Sequence, residues 1–269
     1  MAAGQLFQRV NMRNIKLTIE YDGTAYHGWQ SQINAAAVQD IVTDAVRRLT
    51  RENSGITGAS RTDTGVHAFG QVCNFFTETA IPADKFTFAL NTLLPEDITV
   101  KRSEEVSPDF HSRFSTKGKK YRYLFYNSTF PSALLRHRAY HVFYPLDVDA
   151  MNRAAAHFVG THDFASFSAA GGNVKTTVRT ITQACVERDG EMISFTVIGD
   201  GFLYNMVRII AGTLVEAGLG RIDPDDVPGI IAALDRRKAG RTAPAHGLYL
   251  VEVYYDDSFL EHEFSKKVI

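Results

Sequence analysis

Twice along this chain an alternating strand pattern gives way to a helical one and then to another strand, and that repetition limits the architectures open to it. Ile15-Lys16-Leu17-Thr18-Ile19-Glu20-Tyr21 alternates apolar with polar, the period of a half-buried strand, and the turn pair Asp22-Gly23 ends it. Val38, Ile41, Val42, Ala45, Val46 and Leu49 then recur at helical spacing, with Gln39, Asp40, Asp44, Arg47 and Arg48 on the opposite face. A second alternating run covers 66–75, a helical segment over 83–94 stops before Pro95, and 98–101 begins another strand. The second half repeats the order. It reads as a strand over 120–126, a helix over 149–159 with Met151, Ala155, Phe158 and Val159 inward, and strands over 179–186 and 192–198 flanking the turn pair Asp189-Gly190. A helix over 205–217 follows, then a helical start at Asp223-Pro224 with Ile230, Ile231 and Leu234 inward and Gly240 past its end, and a closing strand over 248–255. A chain so patterned reads as α+β: two similar halves of mixed, mostly antiparallel sheet with helices packed on one face. Residues 12–108 form one half and 109–269 the other, meeting near Val106-Ser107-Pro108 without a flexible linker, while 1–11 is a weakly patterned leader.

Composition removes several classes of function. The most apolar run, 202–219, is interrupted by Arg208 and Glu216, which argues against a membrane span, and 1–11 lacks the apolar core of a signal peptide. The only two cysteines, Cys73 and Cys185, both lie in strand patterns and read as reduced core thiols of a cytoplasmic protein. The nine histidines are scattered without ligand spacing, so no metal site is expected. The net charge of −1 hides a segregation: 110–146 contains no Asp or Glu but carries Arg113, Lys117, Lys119, Lys120, Arg122, Arg136 and Arg138. Charge runs are ordinarily solvated faces. This one is interleaved with Tyr121, Tyr123, Phe125 and Tyr126, and cations that hold phosphates beside rings that stack on bases are the footprint of nucleic-acid contact.

Three positions carry candidate chemistry. In the stretch Gly58-Ala59-Ser60-Arg61-Thr62-Asp63-Thr64-Gly65-Val66-His67-Ala68-Phe69-Gly70, a guanidinium and a carboxylate stand two residues apart in a Gly/Ser/Thr-rich loop ahead of a strand. A plain polar turn has this composition; so does a loop that aims a reactive side chain from a rigid scaffold. Arg208 lies on a helix face shared with Tyr204, Ala211, Gly212 and Val215, where an arginine needs a carboxylate or phosphate partner, and Asp63 is the candidate. The small pair Ala211-Gly212 leaves room there for close approach. Tyr121 is either a core aromatic of its strand or, amid Lys119, Lys120 and Arg122, a ring that stacks on a base. His67 and His111 have no evident orienting partner and read as structural.

These residues carry a resemblance. Arg61-Thr62-Asp63-Thr64-Gly65-Val66-His67-Ala68 resembles the RTDAGVHA signature of the TruA family, tRNA pseudouridine synthase I. Four more segments match in the same order, so that the resemblance runs from Met12 to Tyr255: Glu20-Tyr21-Asp22-Gly23 with Gly28-Trp29-Gln30; Lys120-Tyr121-Arg122-Tyr123; Phe202-Leu203-Tyr204-Asn205-Met206-Val207-Arg208; and Ala243-Pro244-Ala245-His246-Gly247-Leu248-Tyr249-Leu250. Ser60 stands where the family usually has Gly, which puts in question any backbone conformation there that only Gly adopts, and Thr64 stands where it usually has Ala.

The resemblance implies the pseudouridine synthase fold with an active cleft between the halves. It also implies a cofactor-free isomerisation in which a uridine's bond from N1 to the ribose is broken and C5 is joined instead. Asp63 then corresponds to the family's essential aspartate, acting on the ribose, on the base or as a base. Tyr121 becomes the ring stacked on the target base, Arg208 the partner of Asp63, and Arg61 a residue that helps extrude the nucleotide. The implied substrate is uridine in the anticodon arm of tRNA, around positions 38 to 40, and the implied assembly is a homodimer. Two other classes compete. A binding module without catalysis has no reason to aim Asp63 at a phosphate-rich ligand, and a glycoside hydrolase commonly needs two carboxylates where the matched motifs offer one.

Overall fold

The computed structural model describes residues 12–172 and 174–260, so the expected leader at 1–11 lies outside the described residues. Packing divides the chain between Thr116 and Lys117 into two units. In the N-terminal unit the elements run β1 (Arg13–Tyr21), α1 (Val38–Thr50), β2 (Thr57–Gly58), β3 (His67–Thr77), α2 (Lys85–Asn91) and β4 (Ile98–Val106). β1 is the central strand, antiparallel to β4 on one side and β3 on the other, so that Leu17 faces Ser103 and Cys73; β2 pairs with the far side of β3. The alternation read in β1 is that of its burial, with Ile15, Leu17, Ile19 and Tyr21 in the core. Helix α1 buries Val38, Val42, Ala45 and Val46. Helix α2 is tied to β4 by the Asn91 side chain, which donates to the Val100 carbonyl and accepts its N–H.

The C-terminal unit runs β5 (Gly118–Asn127), β6 (Tyr140–Val142), α3 (Val148–Ala156), β7 (Gly160–Asp163), β8 (Val178–Asp189), β9 (Met192–Gly199), α4 (Met206–Gly218), α5 (Val227–Ala232) and β10 (Leu248–Tyr254). Its strands lie in the order β10-β5-β9-β8-β7, all antiparallel, with β6 parallel to the end of β5. The sheet is therefore mixed and mostly antiparallel, and the α+β class is as expected. Gly190 takes the positive φ of 58° that the β8–β9 hairpin turn requires. The Asn152 side chain clamps α3 to β8 by bonding both backbone groups of Val186.

Two inward assignments do not hold. Helix α3 stops at Ala156, and Val159 is 42% exposed, because the chain turns out at Gly160 (φ 115°) to enter β7. Leu234 is 53% exposed: α5 closes at Ala232, and Leu234 takes a left-handed φ of 50° that swings it off the apolar stripe kept by Val227 and Ile231. Trp29 is a core anchor, 2% exposed. Both cysteines are free; burial pushes the Cys73 thiol up and that of half-buried Cys185 up to about 12, so neither is a thiolate at neutral pH. Among the described residues no helix is long and apolar enough to cross a membrane.

Candidate active site

The loop between β2 and β3 alternates its side chains. Thr62, Val66 and His67 are buried, Asp63 is half-buried, and Arg61 and Thr64 face solvent. What holds it is the end of β1 and the segment after it. The Tyr21 hydroxyl, itself in the core, hydrogen-bonds Thr62 Oγ1 at 2.7 Å, and the Trp29 N–H donates to the Thr62 carbonyl at 3.2 Å. On the other side of the carboxylate, the Val66 N–H closes a turn on the Asp63 carbonyl (3.1 Å), and the Gly65 N–H reaches the Tyr26 carbonyl (3.3 Å). Tyr26 is fixed in turn: its hydroxyl donates to Asp97 at 2.6 Å, and burial, helped by the Asp97 carboxylate, pushes its pKa up so that it remains a donor. His67 Nδ1 accepts the Gly23 N–H at 3.0 Å and stands 3.0 Å from Asp22 Oδ1.

Two glycines make this approach possible. A Cβ on Gly23 would lie 2.0 Å from the Val66 carbonyl oxygen, and one on Gly28, whose φ is 89°, would lie 2.3 Å from the Thr62 carbonyl oxygen. The matched segment around residues 20–30 is thus the seat of the Asp63 loop. Ser60 is not among the positive-φ residues, so its departure from the family's usual Gly brings no left-handed strain; its N–H and carbonyl are both bonded by the Gln71 side chain. Thr64 is exposed, so its branch meets water instead of the packed side of the loop.

In the C-terminal unit Tyr121 sits on β5, 7% exposed, edge-on to the Phe202 ring at 5.1 Å. It lies on the strand face of Tyr123 and Phe125. Arg208 is one of two half-buried residues on α4, with Glu216, in a helix otherwise buried all round. Its Nε donates to the Ala243 carbonyl (2.9 Å) and its Nη1 to Asn205 Oδ1 (2.7 Å). The room left by Ala211-Gly212 is filled by the chain itself: a Cβ on Gly212 would lie 1.8 Å from the Arg241 carbonyl oxygen, and the Ala243 N–H closes back on the Arg208 carbonyl. Burial raises the Tyr123 hydroxyl well above its usual pKa, while the Arg208 charge pulls against it. Tyr123 is anchored there by donating to the Pro244 carbonyl at 2.6 Å.

One expectation about the basic interval needs correcting. Tyr121 does not stand amid three cations, because successive strand residues point to opposite faces: Lys119 shares its face, whereas Lys120 and Arg122 point away with Leu124 and Tyr126. Sequence reading also missed the groups that hold the candidates. Tyr21 is far from Thr62 in sequence and left no local signal, whereas Asn205, three residues before Arg208 and in a left-handed conformation (φ 60°), carried the helical i, i+3 spacing as a clue. Among the described residues no group of three or more His, Cys, Asp or Glu is placed to hold a metal ion.

Residues 17–115 and 154–256 match the model of a family described as tRNA pseudouridine synthase. A tRNA pseudouridine synthase A of Acetivibrio thermocellus is 60% identical over 244 residues, covering 91% of this chain and 100% of the relative. One of Ruminiclostridium cellulolyticum is 58% identical over 246 residues, again covering 91% of this chain and 100% of the relative. One of Caldicellulosiruptor bescii is 50% identical over 244 residues with the same coverage of both chains.

Proposed function

The chain belongs to the tRNA pseudouridine synthase family, a family of isomerases, and from that premise we propose that it converts uridine to pseudouridine in the anticodon arm of tRNA, at positions 38 to 40, with Asp63 as its one essential carboxylate. The reaction adds and removes nothing overall. The N1–C1′ bond of the uridine breaks, C1′ bonds to C5, the C5 proton leaves to solvent, and N1 takes up a proton in its place. Breaking the glycosidic bond leaves electron deficiency at the sugar, which a fixed carboxylate meets better than a mobile one. No cofactor is called for by this balance.

The observation that carries the reading is the seating of Asp63. Thr62 is turned inward and bonded through both its hydroxyl and its carbonyl, while Asp63 beside it projects half-exposed and Arg61 reaches solvent. Arg61 is the residue that helps take the nucleotide out of its stem, Tyr121 the ring against the target base, and Arg208 the cation that pairs with Asp63 and keeps it ionised and aimed. The enzyme works as a homodimer in the cytoplasm; the two free, protonated thiols fit that compartment.

The test is tritium release from tRNA labelled at uridine C5, comparing the native protein with Asp63→Asn. Release by the native protein, and none above background by a variant that still binds tRNA, is the expected outcome. Equal release from both removes Asp63 from the chemistry.

A further inference from the structure

The segment 107–116 is pinned at almost every turn, yet it holds a large ring in water. Asn14 Nδ2 donates to the carbonyls of Ser107 (3.0 Å) and Phe110 (2.8 Å). The fully buried Ser112 donates its N–H to Asn74 Oδ1 (3.0 Å) and its hydroxyl to the Thr57 carbonyl (2.6 Å). The His111 ring accepts two backbone N–H groups on Nδ1, those of Arg113 and Phe114, at 3.2 Å each, which fixes the ring and places the proton of its neutral form on Nε2. Phe114 lies against that fixed ring, centroids 4.3 Å apart and planes at 33°, and is 77% exposed. The exposed Arg113 guanidinium is 5.7 Å from the Phe114 centroid.

A single exposed phenylalanine is unremarkable by itself. Here the ring is backed by a second ring, rimmed by a guanidinium, and set on a segment bonded through its backbone to β1 and β3 and through the Ser112 hydroxyl to β2. It therefore gives up little further freedom on binding, the condition under which contact area converts into affinity. The chemistry that fits is a flat π-face with a negative charge beside it. No Asp or Glu occurs from 110 to 146 to repel a phosphate. We infer that Phe114, backed by His111 and rimmed by Arg113, is a stacking platform for an unpaired base of the RNA substrate, a base other than the uridine being isomerised. This rests on the tRNA reading above.

The experiment is equilibrium binding of tRNA to the full chain across a salt series, for the native protein, Phe114→Ala, Phe114→Tyr and Arg113→Ala, with melting temperature and oligomeric mass recorded for each. Native tritium release is established first. Phe114→Ala raises Kd roughly tenfold at every salt concentration, with melting temperature and mass unchanged, while Phe114→Tyr stays within about twofold of native. Arg113→Ala instead lowers the slope of log K against log salt by about 0.7, one single-strand phosphate contact. Native-like binding by Phe114→Ala overturns the platform alone, as does equal weakening by Ala and Tyr. A changed oligomeric mass in Phe114→Ala also overturns it and assigns the ring to a second copy of the chain. Absence of native release overturns the tRNA reading, and the platform with it.

Discussion

The Asp63 loop and the Arg208 helix hold their charged residues by opposite means. Asp63 is held through its main chain: its neighbour Thr62 is bonded at hydroxyl and carbonyl, and its own carbonyl takes the Val66 N–H. Arg208 is held through its side chain, by Asn205 Oδ1 and the Ala243 backbone carbonyl, inside a helix whose other faces are covered. A loop needs its glycines and its backbone partners to be rigid, whereas a helix is rigid already and needs only a pair of acceptors to select the rotamer. Damage to the first should show as lost stability and lost turnover together. Damage to the second should show in turnover with the fold intact.

Gly28→Ala tests the loop side and carries the largest expected effect. The new Cβ would meet the Thr62 carbonyl oxygen at 2.3 Å, on a residue whose φ of 89° an L side chain seldom adopts. Strain plus overpacking is on the order of 3 kcal/mol. Thermal unfolding and tritium release measured on the same preparation should both fall, and a variant that loses turnover while melting like the native protein would break the contrast.

Arg208→Ala tests the helix side. Asn205 Oδ1 and the carbonyl of the buried Ala243 each lose a donor, so stability should fall by about 1 kcal/mol, while turnover falls roughly a hundredfold at nearly unchanged tRNA affinity, the scale for losing one preorganised electrostatic contact. Single-turnover release at saturating protein separates the two, and a pure affinity loss would remove the role proposed for Arg208.

How much of this was legible followed the strength of local pattern. β1, β5 and α1 were readable because one face of each is buried and the period shows it. β2, β6 and β7 are short and take their form from the strand they pair with, which no period of their own announces. At the site, the motif around Asp63 was readable and so was the shortage of side-chain volume at Ala211-Gly212. The thing that fills that space, the Arg241 carbonyl, comes from a segment with no local link to α4. The same limit hid Tyr21 from Thr62. Adjacency misled only at β5, where three cations flanking Tyr121 in sequence were taken as neighbours although the pleat sends two of them to the other side.

That pleat supplies the smallest and sharpest test. Lys119 shares the Tyr121 face of β5, and Lys120 points to the opposite one. If the RNA lies along the Tyr121 face, the two adjacent lysines must differ. Lys119→Ala should weaken tRNA binding by about 1 kcal/mol at low salt and reduce the salt slope by close to one phosphate contact, whereas Lys120→Ala should leave both within error. Equal losses would mean that the backbone of the RNA wraps both faces of the strand. A loss confined to Lys120→Ala would place the RNA on the face away from Tyr121, and the stacking role assigned to that ring would go with it.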